Sequence, residues 1–160
     1  MTNHQKHTRN LRKSRWSGIG QIYLVTTCSN QRQKIFLQAA AAQILMDEIN
    51  QADLTGNCVS LAYVIMPDHL HWLFELGEGY SLSQLIKRLK GSSARRINAV
   101  RMSTGRLWQP GFHDHAIRNS QAIAPTANYL LNNPVRAGLV TNPEDYPFKY
   151  SVWLSNNGRG

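Results

Sequence analysis

His69 and His71 stand one residue apart in MPDHLHWLFEL (66–76), a stretch otherwise apolar enough to wall a core. Along an extended strand, residues i and i+2 point to the same face, so the two imidazoles project side by side and can share one cation. Neutral imidazole suits several divalent metals, zinc among them, but two histidines do not complete a site, and H-x-H also occurs on half-buried strands that bind nothing. NYLLNNP (128–134) offers further donors. Tyr129 and Asn133 are four apart, one turn apart on the same face of a helix. If that face packs over the histidine strand, a phenol and a carboxamide meet the two imidazoles. Otherwise Tyr129 is a core or interface aromatic and Asn133 a helix-terminal cap, and Asn132 competes for the ligand role. A tyrosine hydroxyl can attack a phosphodiester and hold it covalently, which divides strand transfer into two steps and conserves the bond energy. A phenol titrates near pH ~10 and needs activation, and the phosphate needs its charge offset. A divalent ion on His69, His71 and Asn133 would do the second by polarising a non-bridging oxygen.

The charge pattern points to a polyanionic partner. The chain of 160 residues carries a formal charge of +9. No acid precedes Asp47 and none lies between Glu78 and Asp114, while that second gap holds Lys87, Arg88, Lys90, Arg95, Arg96, Arg101 and Arg106. Each phosphate neutralised by Lys or Arg releases condensed counterions, a favourable contribution that needs no readout of bases. An acidic membrane would attract the same surface, yet no apolar span of membrane length and no signal-peptide pattern is found, so a cytoplasmic protein is expected. Cys28 and Cys58, thirty positions apart with no CxxC partner, read as two reduced thiols.

The elements that must position these residues follow from periodicity. IGQIYLVTTC (19–28) reads as a first strand, LQAAAAQILMDEINQADLTG (37–56) as a helix with Leu37, Ala41, Ile44, Leu45 and Ile49 on one face and Gly56 as its stop. CVSLAYVIM (58–66) and HLHWLFEL (69–76) are strands joined by a Pro67-Asp68 turn, so the histidines open the third strand. Ser81 with Gln84 is a capping box ahead of the stripe Leu82, Leu85, Ile86 and Leu89, and Gly91-Ser92-Ser93 is expected to break or bend this second helix. FHDHAIR (112–118) is a fourth strand, followed by a helix over PTANYLLNNPVRAGLV ended at Asn133-Pro134. Pro125 either lies in the first turn of that helix or kinks it. Strand, helix, strand, strand, helix, strand is the order of an α+β, ferredoxin-like βαββαβ core with an antiparallel sheet, to which a C-terminal helix carrying the tyrosine is added. The boundaries expected are a basic arm (1–15), one domain (16–155) whose aromatic tail covers the core, and a short end (156–160).

Three further groups have two readings each. His113 and His115, flanking Asp114, either form a second metal site or line a groove and orient the ligands, a role open also to Asp68. Trp108 beside Arg106 either stacks on an unpaired base or plugs the core edge. Arg12, Lys13 and Arg15, with Arg9, form a solvated arm or one that reaches a groove of a hairpin stem.

YVIMPDHLHWLFEL, WQPGFHDHAIR and YLLNNPVRAGLV, in this order and spacing, resemble the HUH single-tyrosine transposases of IS200-like type, in particular the REP-associated tyrosine transposases, from about residue 15 to 155. The resemblance implies a ferredoxin-like core, His69 and His71 as metal ligands with Asn133 at the third position, and Tyr129 as the nucleophile that forms a 5′-phosphotyrosine. It further implies Mg²⁺ or Mn²⁺, and single-stranded DNA carrying a palindromic hairpin as the substrate. DNA contacts are expected from Arg12, Lys13, Arg15, Lys87, Arg88, Lys90, Arg95, Arg96, Arg106 and Trp108, with no membrane and no obligate protein partner. A catalytically inactive hairpin-binding protein and a metal-dependent hydrolytic nuclease are the two alternatives.

Overall fold

The computed structural model describes residues 20–154. The basic arm, with Arg9, Arg12, Lys13 and Arg15, lies outside them. Strand β1 (Ile22–Cys28) is followed by helix α1 (Ala39–Leu54), the hairpin of β2 (Cys58–Met66) and β3 (His69–Leu76), helix α2 (Leu82–Arg101), strand β4 (His113–Ile117), helices α3 (Ile123–Leu131) and α4 (Asn133–Arg136), and a short β5 (Lys149–Ser151). The sheet order is β4-β1-β3-β2-β5, with every neighbouring pair antiparallel. Its first four strands make the ferredoxin-like arrangement, and β5 adds a strand that the tail was not expected to form.

Alternation along β3 assigns its side chains to two cores. Leu70, Trp72 and Phe74 join α1 and α2 on one face, through Ile44, Leu45, Ile49, Leu85 and Ile86. Leu73 faces the other side, where Ala127, Leu130 and Leu131 of α3 pack with Val64, Met66 and Tyr146. His69 and His71 share the parity of Leu73, and therefore lie on the α3 face. The tail seals this side: the buried Tyr146 hydroxyl donates to the Ile65 carbonyl, and Lys149 donates to the Pro143 carbonyl. Trp153 and Leu154 at its end stay exposed.

Local departures from the expected elements have tertiary causes. Leu37 belongs to a 3-10 turn, Ile35–Leu37, whose Ile35 and Phe36 are buried while Leu37 is 65% exposed. Helix α2 runs unbroken through Gly91-Ser92-Ser93. Gly91 faces open space, and the buried Ser93 hydroxyl donates to the Lys90 carbonyl while accepting from Trp108 Nε1, so the serine fits inside the helix and serves a contact. The expected capping box is formed, with Ser81 Oγ accepting from the Gln84 amide and the Gln84 side chain accepting from the Ser81 amide. Pro125 lies in the first turn of α3, where its missing N–H costs nothing, so no kink arises. That helix ends at Leu131, before the asparagine pair, and Asn133-Pro134 begins a new short turn. Among the described residues no helix is long and apolar enough to cross a membrane.

Candidate active site

The β2–β3 turn delivers both histidines to the α3 face. Their Nε2 atoms converge to 3.2 Å, with the rings edge to face. Each remaining ring nitrogen has its own partner. His69 Nδ1 lies 2.7 Å from Asp68 Oδ1, and His71 Nδ1 lies 2.7 Å from the Thr26 hydroxyl on the paired strand. A carboxylate accepts only, so His69 Nδ1 carries the proton of this bond, and in the neutral tautomer that leaves the lone pair on Nε2. The threonine hydroxyl rotates to donate or accept, which lets His71 take either tautomer.

Behind this pair stands a second layer absent from the motif reading. Arg32 Nε donates to Asp68 Oδ2 at 2.9 Å, and Arg32 Nη1 reaches Cys28 Sγ at 3.0 Å. Burial alone would raise the Asp68 carboxyl, but its bonds to His69 and Arg32 outweigh that and hold it below the usual carboxylate range. The loop that aims Arg32 is strained: Gln31 and Arg32 have φ of 55° and 54°, left-handed values that side chains with a Cβ rarely adopt. Ser29 secures that loop by donating its amide to the Asp68 carbonyl at 2.9 Å and its hydroxyl to the Gln33 carbonyl at 2.6 Å. Burial chiefly, then the charges of His69, Arg136 and Arg32, push the His71 pKa down to about 4. His71 is therefore a neutral imidazole at ordinary pH, the form that ligates metals.

Tyr129 is 67% exposed on α3, and the Arg136 guanidinium carbon stands 3.9 Å from its ring centroid. The tyrosine also lines an open groove with Leu24, Ile117, Pro125 and His115. His113 and His115 pair opposite Thr26 and Leu24, so they share the face of the first histidine pair, whereas Asp114 opposite Val25 points to the other face. Asn133 opens α4 half-buried, while the exposed Asn132 amide is spent on the Asn128 carbonyl at 2.8 Å. Among the described residues no group of three or more His, Cys, Asp and Glu has metal-site spacing. A metal here would take two imidazoles and an oxygen donor of another kind, for which the Asn133 amide is suited by chemistry.

The expected DNA contacts separate into free and occupied side chains. Lys87, Arg95 and Arg106 are exposed, as is Arg88, whose guanidinium stands over the Tyr80 ring at 5.8 Å. Lys90 donates to the carbonyls of Gln109 and Gly111 and so ties the segment entering β4, and Arg96 pairs with Glu48 at 3.0 Å and Asp47 at 3.6 Å, joining α2 to α1. Trp108 cannot stack on a base: it is 4% exposed, packed on Phe36, with Nε1 donating to Ser93. An indole this large is worth more in the core than in solvent, and its N–H has found a buried acceptor. Arg12, Lys13 and Arg15 lie outside the described residues.

Thr26, Arg32 and Arg136 were missed. Strand register, unreadable before the pairing is known, places Thr26 opposite His71, and a loop geometry brings Arg32 to Asp68. Arg136 left a trace, since seven residues past Tyr129 is two turns along the same helical face.

The sheet is ferredoxin-like and carries a converged histidine pair and an exposed tyrosine on one face. The chain belongs to the family described as transposase IS200-like, whose profile matches residues 19–133. It is 32% identical over 87 residues to the REP-associated tyrosine transposase of Escherichia coli K12, and 30% identical over 100 residues to a Haemophilus influenzae relative. The aligned stretches span 50% and 56% of those two relatives' own lengths. The solved structure of a REP-associated tyrosine transposase bound to a REP hairpin matches with a TM-score of 0.71 at 25% identity, over 91% of this chain and 84% of that one. A protein of known structure from Deinococcus radiodurans, 22% identical, shares the fold with a TM-score of 0.52 over 69% of this chain and 88% of its own.

Proposed function

We propose that the protein is a metal-dependent transposase that nicks and rejoins single-stranded DNA beside palindromic hairpins through a 5′-phosphotyrosine on Tyr129. The observation that carries this reading is the convergence of His69 and His71 Nε2 on the same face of the sheet that α3 crosses with its exposed tyrosine. Tyr129 Oη forms a bond to the scissile phosphorus, the bond from phosphorus to the 3′ oxygen breaks, and the upstream strand leaves with a free 3′ hydroxyl. The phenol gives up one proton to solvent and the leaving oxygen takes one, so the step is proton-neutral overall. Attack by another 3′ hydroxyl reverses it and joins new ends, at no cost in bond energy. His69, His71 and Asn133 would hold Mg²⁺ or Mn²⁺, which when bound neutralises charge on the phosphate. Asp68 and Thr26 fix the imidazoles for that duty.

Surface grooves supply a route for the strand. A groove lined by Lys87, Lys90, Gly111 and Phe112 on the α2 side shares its last two residues with one lined by Thr26, Cys28 and His113. The Tyr129 groove lies one rung further along β4, at Leu24 and His115. DNA held by Lys87 would therefore cross the β4 edge to reach the tyrosine, which lies on the opposite face from α2. The hairpin bound by the structural relative supports this class of substrate.

The test is a denaturing gel of the protein with labelled single-stranded hairpin oligonucleotides drawn from the flanks of its own gene, in Mg²⁺, Mn²⁺ or chelator. A metal-dependent, protein-linked band lost in Tyr129→Phe and His69→Ala is expected. Cleavage that persists in Tyr129→Phe without a linked band would instead mean hydrolysis, and tight binding without cleavage would mean an inactive hairpin binder.

A further inference from the structure

Arg136 stands in the last turn of α4, with its guanidinium over the exposed Tyr129 ring at 3.9 Å. A guanidinium that rests on an aromatic face keeps its five N–H donors around its rim, directed away from the ring. Arg32 and Arg96 spend theirs on carboxylates, but among the described residues no hydrogen bond or ion pair engages the Arg136 donors. A cation with unspent planar donors thus adjoins the exposed tyrosine. Planar donors of this kind match two oxygens of a phosphate.

We propose that Arg136 aims the Tyr129 ring through its face and grips a non-bridging oxygen of the scissile phosphate through its rim, an inference that rests on the phosphotyrosine reading above. Stacking restricts the phenol to one region of space, and the rim places the phosphate beside it. Both functions need a planar fork, so lysine restores the charge without restoring the role.

The experiment pairs protein and substrate changes. Wild type, Arg136→Lys and Arg136→Ala are compared for formation of the linked band on the hairpin oligonucleotides, once with an ordinary scissile phosphate and once with a neutral methylphosphonate at that link. On the ordinary substrate Arg136→Ala is expected to slow linkage about 100-fold and Arg136→Lys about 10-fold, with hairpin affinity within about twofold of wild type. On the methylphosphonate the deficits should shrink to about 10-fold in Arg136→Ala and about threefold in Arg136→Lys, because the charged oxygen that the rim grips is gone while the ring is still unaimed. Melting curves that coincide for the three proteins exclude a folding defect. Equal losses on both substrates, or unchanged linkage in Arg136→Ala, overturn the inference while the phosphotyrosine reading stands. A wild-type protein that forms no linked band with any hairpin or metal overturns both.

Discussion

Two kinds of support surround His69 and His71, a carboxylate on one Nδ1 and a hydroxyl on the other. Asp68→Asn would leave Arg32 without its partner and weaken the hold on the His69 tautomer. Metal affinity is expected to fall about 10- to 100-fold, measurable by titration calorimetry with Mn²⁺. Thr26→Val, which removes a hydroxyl that can act in either sense, should give a smaller loss, and unchanged affinity in both variants would detach these residues from the site. Ser93 makes a separate case. Its hydroxyl is the acceptor for the buried Trp108 indole N–H, so Ser93→Ala orphans that donor and should cost about 1–3 kcal/mol in chemical denaturation. DNA affinity of the folded fraction should stay as it was, because Trp108 is inside the core. That the two histidines lie side by side was legible from their spacing, whereas the roles expected of them and of the tyrosine came from the family resemblance. Thr26 and Arg32 were not, since a register and a left-handed loop have no local pattern in the chain, and Trp108 was ambiguous because an indole beside arginine in a loop reads the same whether it faces in or out.

At the scale of elements, the βαββαβ order could be read because each strand is bounded by turn residues and each helix shows a continuous apolar stripe. Helix α2 defied its Gly-Ser-Ser segment, where tertiary contact at Ser93 outweighed local propensity. Strand β5 was missed since KYS, three residues long, is too short to show a period. That tail nonetheless matters to stability. Burial raises the Tyr146 phenol to about 12, and its hydroxyl donates to the Ile65 carbonyl. In the unfolded chain the phenol ionises near pH ~10, so above that pH the unfolded state loses a proton that the native state keeps. Its contribution is complete below pH ~10 and is lost as pH rises toward the folded value of about 12. Tyr63, also raised to about 12 by burial, acts in the same direction. Melting temperature should decline through this window, less steeply in Tyr146→Phe, which should itself be about 1 kcal/mol less stable at neutral pH. An equal decline in both proteins would exclude Tyr146 as a source.

Over the whole molecule, the basic residues of α2 and the tyrosine occupy opposite faces of one sheet, so on the proposed path a strand held by both would turn around the β4 edge. Lys87 and Arg95 are free for phosphates, whereas Arg96 is held by Asp47 and Glu48. Removing Lys87 or Arg95 should lower the slope of log affinity against log salt by about 0.7 for single-stranded DNA. Arg96→Ala should leave the slope unchanged, and a drop in its slope equal to theirs would show that its ion pairs give way to DNA. The position of the histidines has one more consequence. They sit on β3, flanked by β1 and β2 in the middle of the sheet, while Tyr129 rides a nine-residue helix on the outside. Backbone amides of Leu70 and Trp72 should therefore exchange with deuterium only when the entire sheet comes apart, and those around Tyr129 through much smaller openings. On that measure the helix of the tyrosine should open far more readily than the strand that holds the imidazoles.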